Sequence, residues 1–489
     1  MRAAEKKILA NTKNVDVIVA FDKQTAEKHA ERLKDEGILL HESSIDAEGI
    51  AVPFKEIVRE MKGIPIMRNS AAIGSLAKIL GMEWEILEEI FSKFIPRKTE
   101  LNLQIARKCY DIVEKRFELE KLDQEILPVI SGNEAIALGA LEAGLDTYYA
   151  YPMTPSTSIL HFLAANSREF DILAVHPENE IAVMLMALGS AYAGGKTMVA
   201  SSGGGFALMV EGLSLAAQSE IPITIVVSQR AGPSTGVPTY TMQSDLQFIL
   251  NAGHGEFTRF VVAPGDAEEA YYYTALAMNI AWKFQIPSFV LADKHLSESN
   301  YSFEYSLYEV KEEEPLMWDG KGNYLRYRNT EGGVSPLAFP GDAVVKVNSY
   351  AHDEYGITTE EAEKIAKMQE KRLRKKQALV KHLSSFQQFK EYGRNSDIIV
   401  LTWGSTKGAV VEAAEILGLK VVQPIVMEPF PDLSELGDKK VITVEVNATA
   451  QLARLLSCNG IEVDGSVLKY DGRPFFVDEL VERLEEVLQ

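Results

Sequence analysis

Between residues 128 and 300, short apolar runs alternate with longer stretches of helical periodicity. The runs are rich in β-branched and aromatic residues and do not alternate polar with apolar positions, which is typical of parallel strands covered on both faces. The pattern predicts a doubly wound parallel sheet in an α/β domain, in which ligands bind at the carboxyl ends of the strands. The predicted strands are TYYAYP, KTMVASS, PITIVVSQ, TRFVVAP and PSFVLAD, and the predicted helices include 179–195, 206–220 and 266–284.

The residues before this domain follow a less regular pattern. They begin with an apolar strand, VDVIVAFD, which leads into a helical run over 23–37. A capped helix of small residues is predicted at 69–81. From Arg97 to Leu122 the pattern becomes that of a charged helix, which we expect to be a connector.

The residues after this domain fall into two parts. A loop-rich stretch and a mixed-charge helix over 359–383 interrupt the alternation. The simplest prediction is that the charged face of this helix lies in solvent or at an interface. The strand and helix alternation then returns in DIIVLTWGS, KVVQPIV and KKVITVEVN, which predicts a second, smaller α/β domain. We therefore divide the chain into residues 1–125, 126–300, 301–392 and 393–489.

The chain is acidic, since 70 Asp and Glu residues against 50 Lys and Arg residues give a net charge of −20. Such a charge repels phosphate backbones and anionic lipids, which argues against binding to nucleic acids or membrane surfaces. The most apolar uncharged run, Ile181–Gly195, is shorter than the ~18 residues of a membrane span. The first residues contain no signal-peptide core. We expect a cytoplasmic protein.

The sequence contains two cysteines, Cys109 and Cys458. They cannot by themselves form a zinc site, an iron–sulfur cluster or a disulfide framework. A Walker A lysine motif, a Ser/His/Asp spacing and a metal-ligand cluster are also absent from the sequence, and we assign no role to His254. Any redox centre must therefore come from a partner.

Two candidate residues stand in contexts that restrict a side chain. In YAYPMTPSTSI, the prolines at 152 and 155 fix their own φ angles and bias the residues before them toward extended backbone. The Thr154 hydroxyl is therefore presented in a defined direction, although a rigid strand-exit turn explains the same residues. Glu180 begins a helix of small apolar residues, which suggests a carboxylate beside a packed interface. The alternative is a first-turn acid favoured by the helix dipole.

Two further features follow predicted strands. SSGGGFALM is a glycine-rich turn into a helix, whose backbone N–H groups could hold an anion. The dinucleotide pattern fails because Leu208 occupies the position of the last glycine, but three consecutive glycines indicate a close approach to the backbone. Arg230 follows an uncharged strand, so its guanidinium is a candidate clamp for a carboxylate. A surface arginine is the alternative.

The order of these motifs resembles the α subunit of 2-oxoacid:ferredoxin oxidoreductases. The resemblance covers residues 128–489. The motifs that carry it are SGNEAIALGALEAGLDTYYAYPMTPSTSI, ENEIAVMLMALGSAYAGG, SSGGGFALMVEG, SQRAGPSTGVPT and GHGEFTRFVVAP, followed by NTEGGVSPLAFPG, AHDEYG, TWGSTKGAVVEA, VEVNATAQLARLL and KYDGRPF.

The resemblance implies a thiamine diphosphate enzyme that oxidatively decarboxylates a 2-oxoacid with coenzyme A and reduces ferredoxin. It implies that Glu180 is catalytic through a hydrogen bond to the cofactor's pyrimidine ring. The family's G-D-G…N motif for diphosphate and Mg²⁺ is absent from this chain, so a β subunit is expected to supply that site and a [4Fe-4S] cluster in a hetero-oligomer. The implied cofactor-binding residues are Glu180, Tyr151, Pro152, Ser202 and Gly203, and the implied substrate-binding residues are Thr154 and Arg230.

Residues 1–125 resemble the later part of the family's γ domain, with RNSAAIGSLAKILG as the best match. The glycine-rich opening of that domain is absent, so the alternatives are a shortened chain and a reduced γ domain. A role of this region in coenzyme A binding is left open by the residues.

Two other functions compete with this interpretation. A non-catalytic scaffold or binding subunit could retain the same fold, but it would not require Thr154, Glu180 and Arg230 together. A Rossmann-type NAD dehydrogenase would require the glycine that Leu208 replaces.

Overall fold

The structure is a computed structural model that describes residues 2–119, 126–307, 309–311 and 313–488. The chain folds into two compact units. The described residues of the first lie within Met1–Lys7 and Thr12–Glu125, and those of the second lie within Ile8–Asn11 and Ile126–Gln489. None of the described helices has the length and apolar run that crossing a membrane requires.

The first unit contains a small parallel sheet with the strand order β1-β2-β3 and helices that pack on it. Its elements are β1 (Val15–Ala20), α1 (Lys23–His29), β2 (Leu33–Glu42), β3 (Ile50–Val52), α2 (Phe54–Glu60), α3 (Arg68–Ile79), α4 (Trp84–Phe94) and α5 (Thr99–Asp111). The helix predicted at 69–81 is confirmed as α3, whose small residues are buried.

The helix predicted over 23–37 is wrong in its second half. The helix α1 ends at His29, and β2 begins at Leu33. The apolar residues of β2 pair with β1, with Leu39 opposite Ile18, and this pairing outweighs the helical propensity of the charged residues before them.

The charged helix predicted from Arg97 to Leu122 is also shorter than expected. It corresponds to α5, which ends at Asp111. The buried side chains of Ile105 and Cys109 belong to the core that α5 shares with α3, so α5 is part of this unit and not a connector. Leu122 lies outside the described residues.

The second unit contains a larger sheet, a smaller sheet, a two-stranded sheet and the helices around them. Its first elements are β4 (Val129–Ser131), α6 (Gly132–Glu142), β5 (Thr147–Tyr149), α7 (Thr157–Ala165), β6 (Leu173–Val175), α8 (Glu180–Tyr192), β7 (Thr197–Ser201), α9 (Gly203–Ser219), β8 (Ile223–Gln229), α10 (Leu246–Asn251), β9 (Phe260–Val262), α11 (Ala267–Phe284), β10 (Pro287–Asp293), α12 (Lys294–Glu298) and β11 (Asn300–Ser302). They are followed by α13 (Ala362–Leu383), β12 (Phe389–Gly393), β13 (Ile398–Thr402), α14 (Lys407–Leu417), β14 (Lys420–Pro424), β15 (Val426–Glu428), β16 (Lys440–Glu445), α15 (Gln451–Cys458), β17 (Gly465–Leu468) and α16 (Val477–Leu488).

The larger sheet of this unit has the strand order β15-β9-β10-β8-β7-β5-β6. Its strands pair in parallel from β9 to β6, while β15 pairs antiparallel with β9. Helices α8 and α9 pack on one face, and α6 and α11 pack on the other. Every residue of β7, β8 and β10 is buried, which explains their unbroken apolar runs. The predicted doubly wound α/β fold is confirmed.

The smaller sheet has the strand order β12-β14-β13-β16-β17. The run KVVQPIV, predicted as one strand, is divided between the two sheets: it ends β14 at Pro424 and starts β15 at Val426, opposite Val262. Proline has no N–H to continue the ladder of β14. Side chains from both sheets, including Phe289 and Trp403, share one core. The boundaries within 126–489 at 300 and 392 stay predictions.

The mixed-charge helix α13 is buried along part of its length. Lys371 and Lys375 are buried, and their ammonium nitrogens lie 2.7 Å and 2.6 Å from Glu220 Oε2. Burial alone would raise the pKa of Glu220, but the two lysines and Arg326 hold it below its usual range. The prediction of a solvated face is wrong at these positions, because their partner lies at the end of α9.

Candidate active site

Four neighbouring strands of the larger sheet end at one edge, and the candidate residues follow these strands. Strands β6, β5, β7 and β8 lie side by side and run parallel, so their carboxyl ends share that edge. The residues that follow them are Glu180 after β6, Tyr151, Pro152 and Thr154 after β5, Ser202 and Gly203 after β7, and Arg230 after β8.

Glu180 is the first residue of α8 and is only 3% exposed. Asn179 caps the helix by accepting a hydrogen bond from the Ala182 N–H at 3.0 Å, so Glu180 is not needed as the cap. Its Oε1 is buried and has no hydrogen-bond partner among the described residues. Glu178, by contrast, is exposed. A helix-dipole effect explains an exposed first-turn acid but not a buried oxygen without a donor.

Gly205 provides the space in which the Glu180 carboxylate lies. A Cβ at position 205 would lie 2.5 Å from Glu180 Oε1 and would collide with Ser201 Oγ. The hydroxyls of Ser201 and Ser202 are also buried without a partner in the described part of the chain. Several polar atoms at the end of β7 and the start of α8 are thus left for a bound group to satisfy.

Arg230 and the Thr154 turn are in direct contact. The Arg230 Nη1 donates a hydrogen bond of 2.7 Å to the Thr154 carbonyl oxygen. Arg230 is 9% exposed, and burial lowers the pKa of its guanidinium. Thr154 itself is half-buried, while Tyr151 is exposed and stands edge-on to the His176 ring. One guanidinium nitrogen therefore holds the turn that carries Thr154.

Comparison with known proteins identifies the family of the chain. Residues 138–371 match the family model described as "Pyruvate flavodoxin/ferredoxin oxidoreductase, thiamine diP-bdg", and residues 1–112 match "Pyruvate ferredoxin/flavodoxin oxidoreductase". The 2-oxoacid:ferredoxin oxidoreductase 1 α subunit of Sulfurisphaera tokodaii is 32% identical over 564 aligned positions, which cover 99% of this chain and 90% of that one. The chain belongs to the 2-oxoacid:ferredoxin oxidoreductase α-subunit family. The resemblance inferred from the motifs is confirmed.

Two more members of the oxidoreductase family support the assignment. The α subunit from Saccharolobus solfataricus is 35% identical, with 86% of this chain and 72% of that one covered. A solved structure, "2-oxoglutarate:ferredoxin oxidoreductase from Magnetococcus marinus with 2-oxoglutarate, coenzyme A and succinyl-CoA bound", is 29% identical with a TM-score of 0.89. The alignment with that structure covers 99% of this chain and 90% of that one.

Asp245 is a residue of this oxidoreductase subunit that the sequence analysis missed. A Cβ at Gly203 would collide with Asp245 Oδ2, so this carboxylate lies against the first residue of α9. The Asp245 N–H donates to Gln229 Oε1 at 2.9 Å, next to Arg230. Burial raises the pKa of Asp245 to about 6. No local pattern signals this residue, because its neighbours come from distant parts of the chain.

The loop between Arg230 and Asp245 is held by residues that follow two strands of the smaller sheet, β16 and β17. The Thr241 N–H donates to the Gly472 carbonyl at 2.9 Å, and the Gln243 N–H donates to the Val446 carbonyl at 2.7 Å. The buried Gln243 amide also donates to Asp293 Oδ2 at 3.2 Å. The C-terminal part of this α subunit therefore fixes the loop that follows the candidate carboxylate clamp.

No cluster of three or more His, Cys, Asp or Glu side chains suited to a metal ion occurs in the described ranges. The two cysteines of the sequence lie in different units, with Cys109 buried and Cys458 exposed. The two cysteines therefore do not form the ligand set of an iron–sulfur cluster within this chain.

Proposed function

We propose that this chain is the α subunit of an enzyme that oxidatively decarboxylates a 2-oxoacid with coenzyme A, giving acyl-CoA and CO₂, and that it requires thiamine diphosphate. Two electrons leave the substrate and pass one at a time through a β subunit to ferredoxin. The observation that carries the proposal is the buried, unpartnered Oε1 of Glu180 at the sheet edge that also holds Thr154 and Arg230.

The residues around Glu180 fit the pyrimidine end of thiamine diphosphate. A protonated ring nitrogen would satisfy Oε1, and polar ring substituents would satisfy the buried hydroxyls of Ser201 and Ser202. When bound, the cofactor supplies the nucleophilic carbon and the electron sink of the reaction. Glu180 accepts a hydrogen bond from the ring nitrogen, and burial strengthens that bond. We also assign cofactor contacts to Tyr151, Pro152, Ser202 and Gly203, which line the same sheet edge.

Arg230 and Thr154 suit the carboxylate and keto oxygens of a 2-oxoacid. The guanidinium stays cationic at neutral pH, because an arginine remains protonated even when burial lowers its pKa. Only Nη1 is directed at the Thr154 carbonyl, so other N–H groups of the fork can bind a carboxylate. The Thr154 hydroxyl, on the same turn, can donate to a keto oxygen. These groups bind and orient the substrate.

A β subunit completes the proposed site. We propose that it provides Mg²⁺, the diphosphate-binding motif and the [4Fe-4S] cluster, since this chain has two cysteines. An exposed apolar patch begins next to Glu180 and supports a partner chain there, because patches of this kind mark interaction sites. Its residues are Ile181, Leu185, Met186 and Leu208. A cytoplasmic location and the role of residues 1–125 toward coenzyme A stay predictions.

The test is an assay of this chain co-expressed with its β subunit. Pyruvate, 2-oxobutyrate and 2-oxoglutarate are each supplied with coenzyme A, and reduction of ferredoxin or viologen is followed. We expect coenzyme A-dependent reduction with at least one 2-oxoacid, accompanied by the matching acyl-CoA. A folded, cofactor-loaded complex that reduces neither acceptor with any 2-oxoacid would support the scaffold alternative.

A further inference from the structure

Asn133 lies next to the Thr154 turn at a fixed point of the fold. It is the second residue of α6 and is completely buried. A capping box fixes the helix start: the Glu134 N–H donates to Ser131 Oγ at 3.2 Å, and the Ser131 N–H donates back to Glu134 Oε2 at 2.6 Å. Gly132 comes directly before Asn133, and a Cβ at this glycine would collide with the Leu296 carbonyl oxygen. The backbone of Asn133 therefore has little freedom to move.

The Asn133 side chain is directed at the turn. Its Nδ2 donates to the Pro155 carbonyl oxygen and to Ser158 Oγ, both at 2.7 Å. A carbonyl oxygen can only accept, so the amide cannot be rotated by half a turn without losing the bond to Pro155. Its Oδ1 is buried and has no partner in the described part of the chain. The amide thus uses its donors on the turn and on the start of α7.

Two consecutive carbonyls of the turn are each held by a buried side chain. Arg230, after β8, donates to the Thr154 carbonyl, and Asn133, from α6, donates to the Pro155 carbonyl, each over 2.7 Å. The Ser156 hydroxyl closes the turn by donating to the Met153 carbonyl at 2.8 Å. The peptide that links Thr154 to the next residue is therefore held on both sides.

We propose that Asn133 is a positioning residue, which holds the Thr154 turn at the distance from Arg230 that a 2-oxoacid requires. The proposal rests on the proposed function. Without the amide donors, the buried Pro155 carbonyl loses its partner and the turn can shift. A displacement of about 1 Å in a substrate-positioning group can lower a rate by about 10²-fold. Asn133 acts through the turn and does not need to touch the substrate.

The experiment compares Asn133→Asp with wild type in the complete α and β complex. The aspartate has the same shape, and in its ionised form it cannot donate to the Pro155 carbonyl oxygen. We expect kcat/KM for the preferred 2-oxoacid to fall between about tenfold and 10²-fold, with an increase in its KM, while the KM for coenzyme A changes less than twofold. If the aspartate variant does not fold, Asn133→Ser gives the same comparison, because a serine is too short to reach the carbonyl.

A matched control separates positioning from stability. Asn279 on α11 is also buried, and its Nδ2 donates to the Lys311 carbonyl at 3.0 Å. We expect Asn279→Asp to lower the melting temperature about as much as Asn133→Asp, without changing the KM for the 2-oxoacid.

Three results would overturn the assignment. An active wild-type complex whose Asn133 variants keep the wild-type KM and kcat for the 2-oxoacid would overturn the role of Asn133 alone. Equal kinetic losses in Asn279→Asp would also overturn it. A wild-type complex that is inactive on all 2-oxoacids would overturn the proposed function together with this inference.

Discussion

Two glycines of the turn after β7 make room for carboxylates. Gly203 leaves space for Asp245, and Gly205 leaves space for Glu180. At Gly204, between them, a Cβ would only reach ordinary contact with the Ser234 carbonyl at 3.7 Å. The glycine run therefore reflects the close approach of side chains to the start of α9, and not the phosphate loop of a dinucleotide fold.

Asp245 makes stability depend on pH in a way that can be measured. Burial raises its pKa from 3.8 to about 6, so the folded state disfavours the ionised carboxylate. This penalty is absent below pH 3.8 and develops fully as the pH rises through 6. We expect the stability advantage of Asp245→Asn over wild type to grow by about 2–3 kcal/mol as the pH rises from 4 to 7. The free energy of unfolding of both proteins in urea measures it.

A stability difference between Asp245→Asn and wild type that stays constant from pH 4 to pH 7 would contradict this prediction. The Asp245 carboxylate would then ionise in the folded state as it does in the unfolded chain.

At the scale of elements, α13 is joined by ion pairs to the residue that follows α9. Lys371 and Lys375 bring two cations to the buried Glu220, and Arg326 donates to the Glu220 carbonyl oxygen at 2.7 Å. Both lysines are buried, so the Glu220 carboxylate is the main group that offsets the free-energy cost of burying their charges. The burial of these two lysines of α13 therefore depends on the carboxylate of the residue that follows α9.

Neutralising Glu220 is expected to destabilise the second unit strongly. Glu220→Gln leaves two buried lysines without a counter-ion, which costs on the order of 3–5 kcal/mol. Thermal and urea unfolding of Glu220→Gln and of a control variant, Glu361→Gln, measure the loss of stability. Glu361→Gln removes the exposed partner of Lys364 near the start of the same helix, and we expect it to lower the stability far less than Glu220→Gln does. Similar losses in both variants would contradict the account of α13.

The sequence predicted those elements whose signal is local. The strands of the larger sheet were found because burial on both faces requires unbroken apolar runs. The buried lysines of α13 could not be found, because Lys371 and Glu220 lie 151 positions apart. Pro424 explains why β14 ends within KVVQPIV, but the pairing of β15 with β9 of the other sheet depends on residues far along the chain.

The same distinction holds for the candidate site. Thr154 was proposed because two prolines flank it and Arg230 because it follows an uncharged strand, and the structure brings them into contact. Asn133 and Asp245 were not proposed, since an isolated asparagine or aspartate near a helix start indicates only a cap. Their contacts with the Thr154 turn and with Gly203 become visible only in the folded chain.

At the scale of the whole molecule, we propose that the candidate site is one half of a larger site that a β subunit completes. The chain contributes a buried carboxylate, a guanidinium and a hydroxyl to one sheet edge. The apolar patch beginning at Ile181 lies beside that edge and fits a partner chain. We therefore expect the isolated α subunit to be inactive and the activity to appear on association with the β subunit.

The most direct measurement compares Glu180→Gln with Glu178→Gln in the assembled enzyme. Both changes remove one carboxylate from the same helix start, but only Glu180 is buried against Gly205. With folding and β-subunit association unchanged, we predict that Glu180→Gln lowers the coenzyme A-dependent reduction of ferredoxin by at least about 10²-fold, and that Glu178→Gln stays within about twofold of wild type. Wild-type turnover in Glu180→Gln would contradict the proposed site.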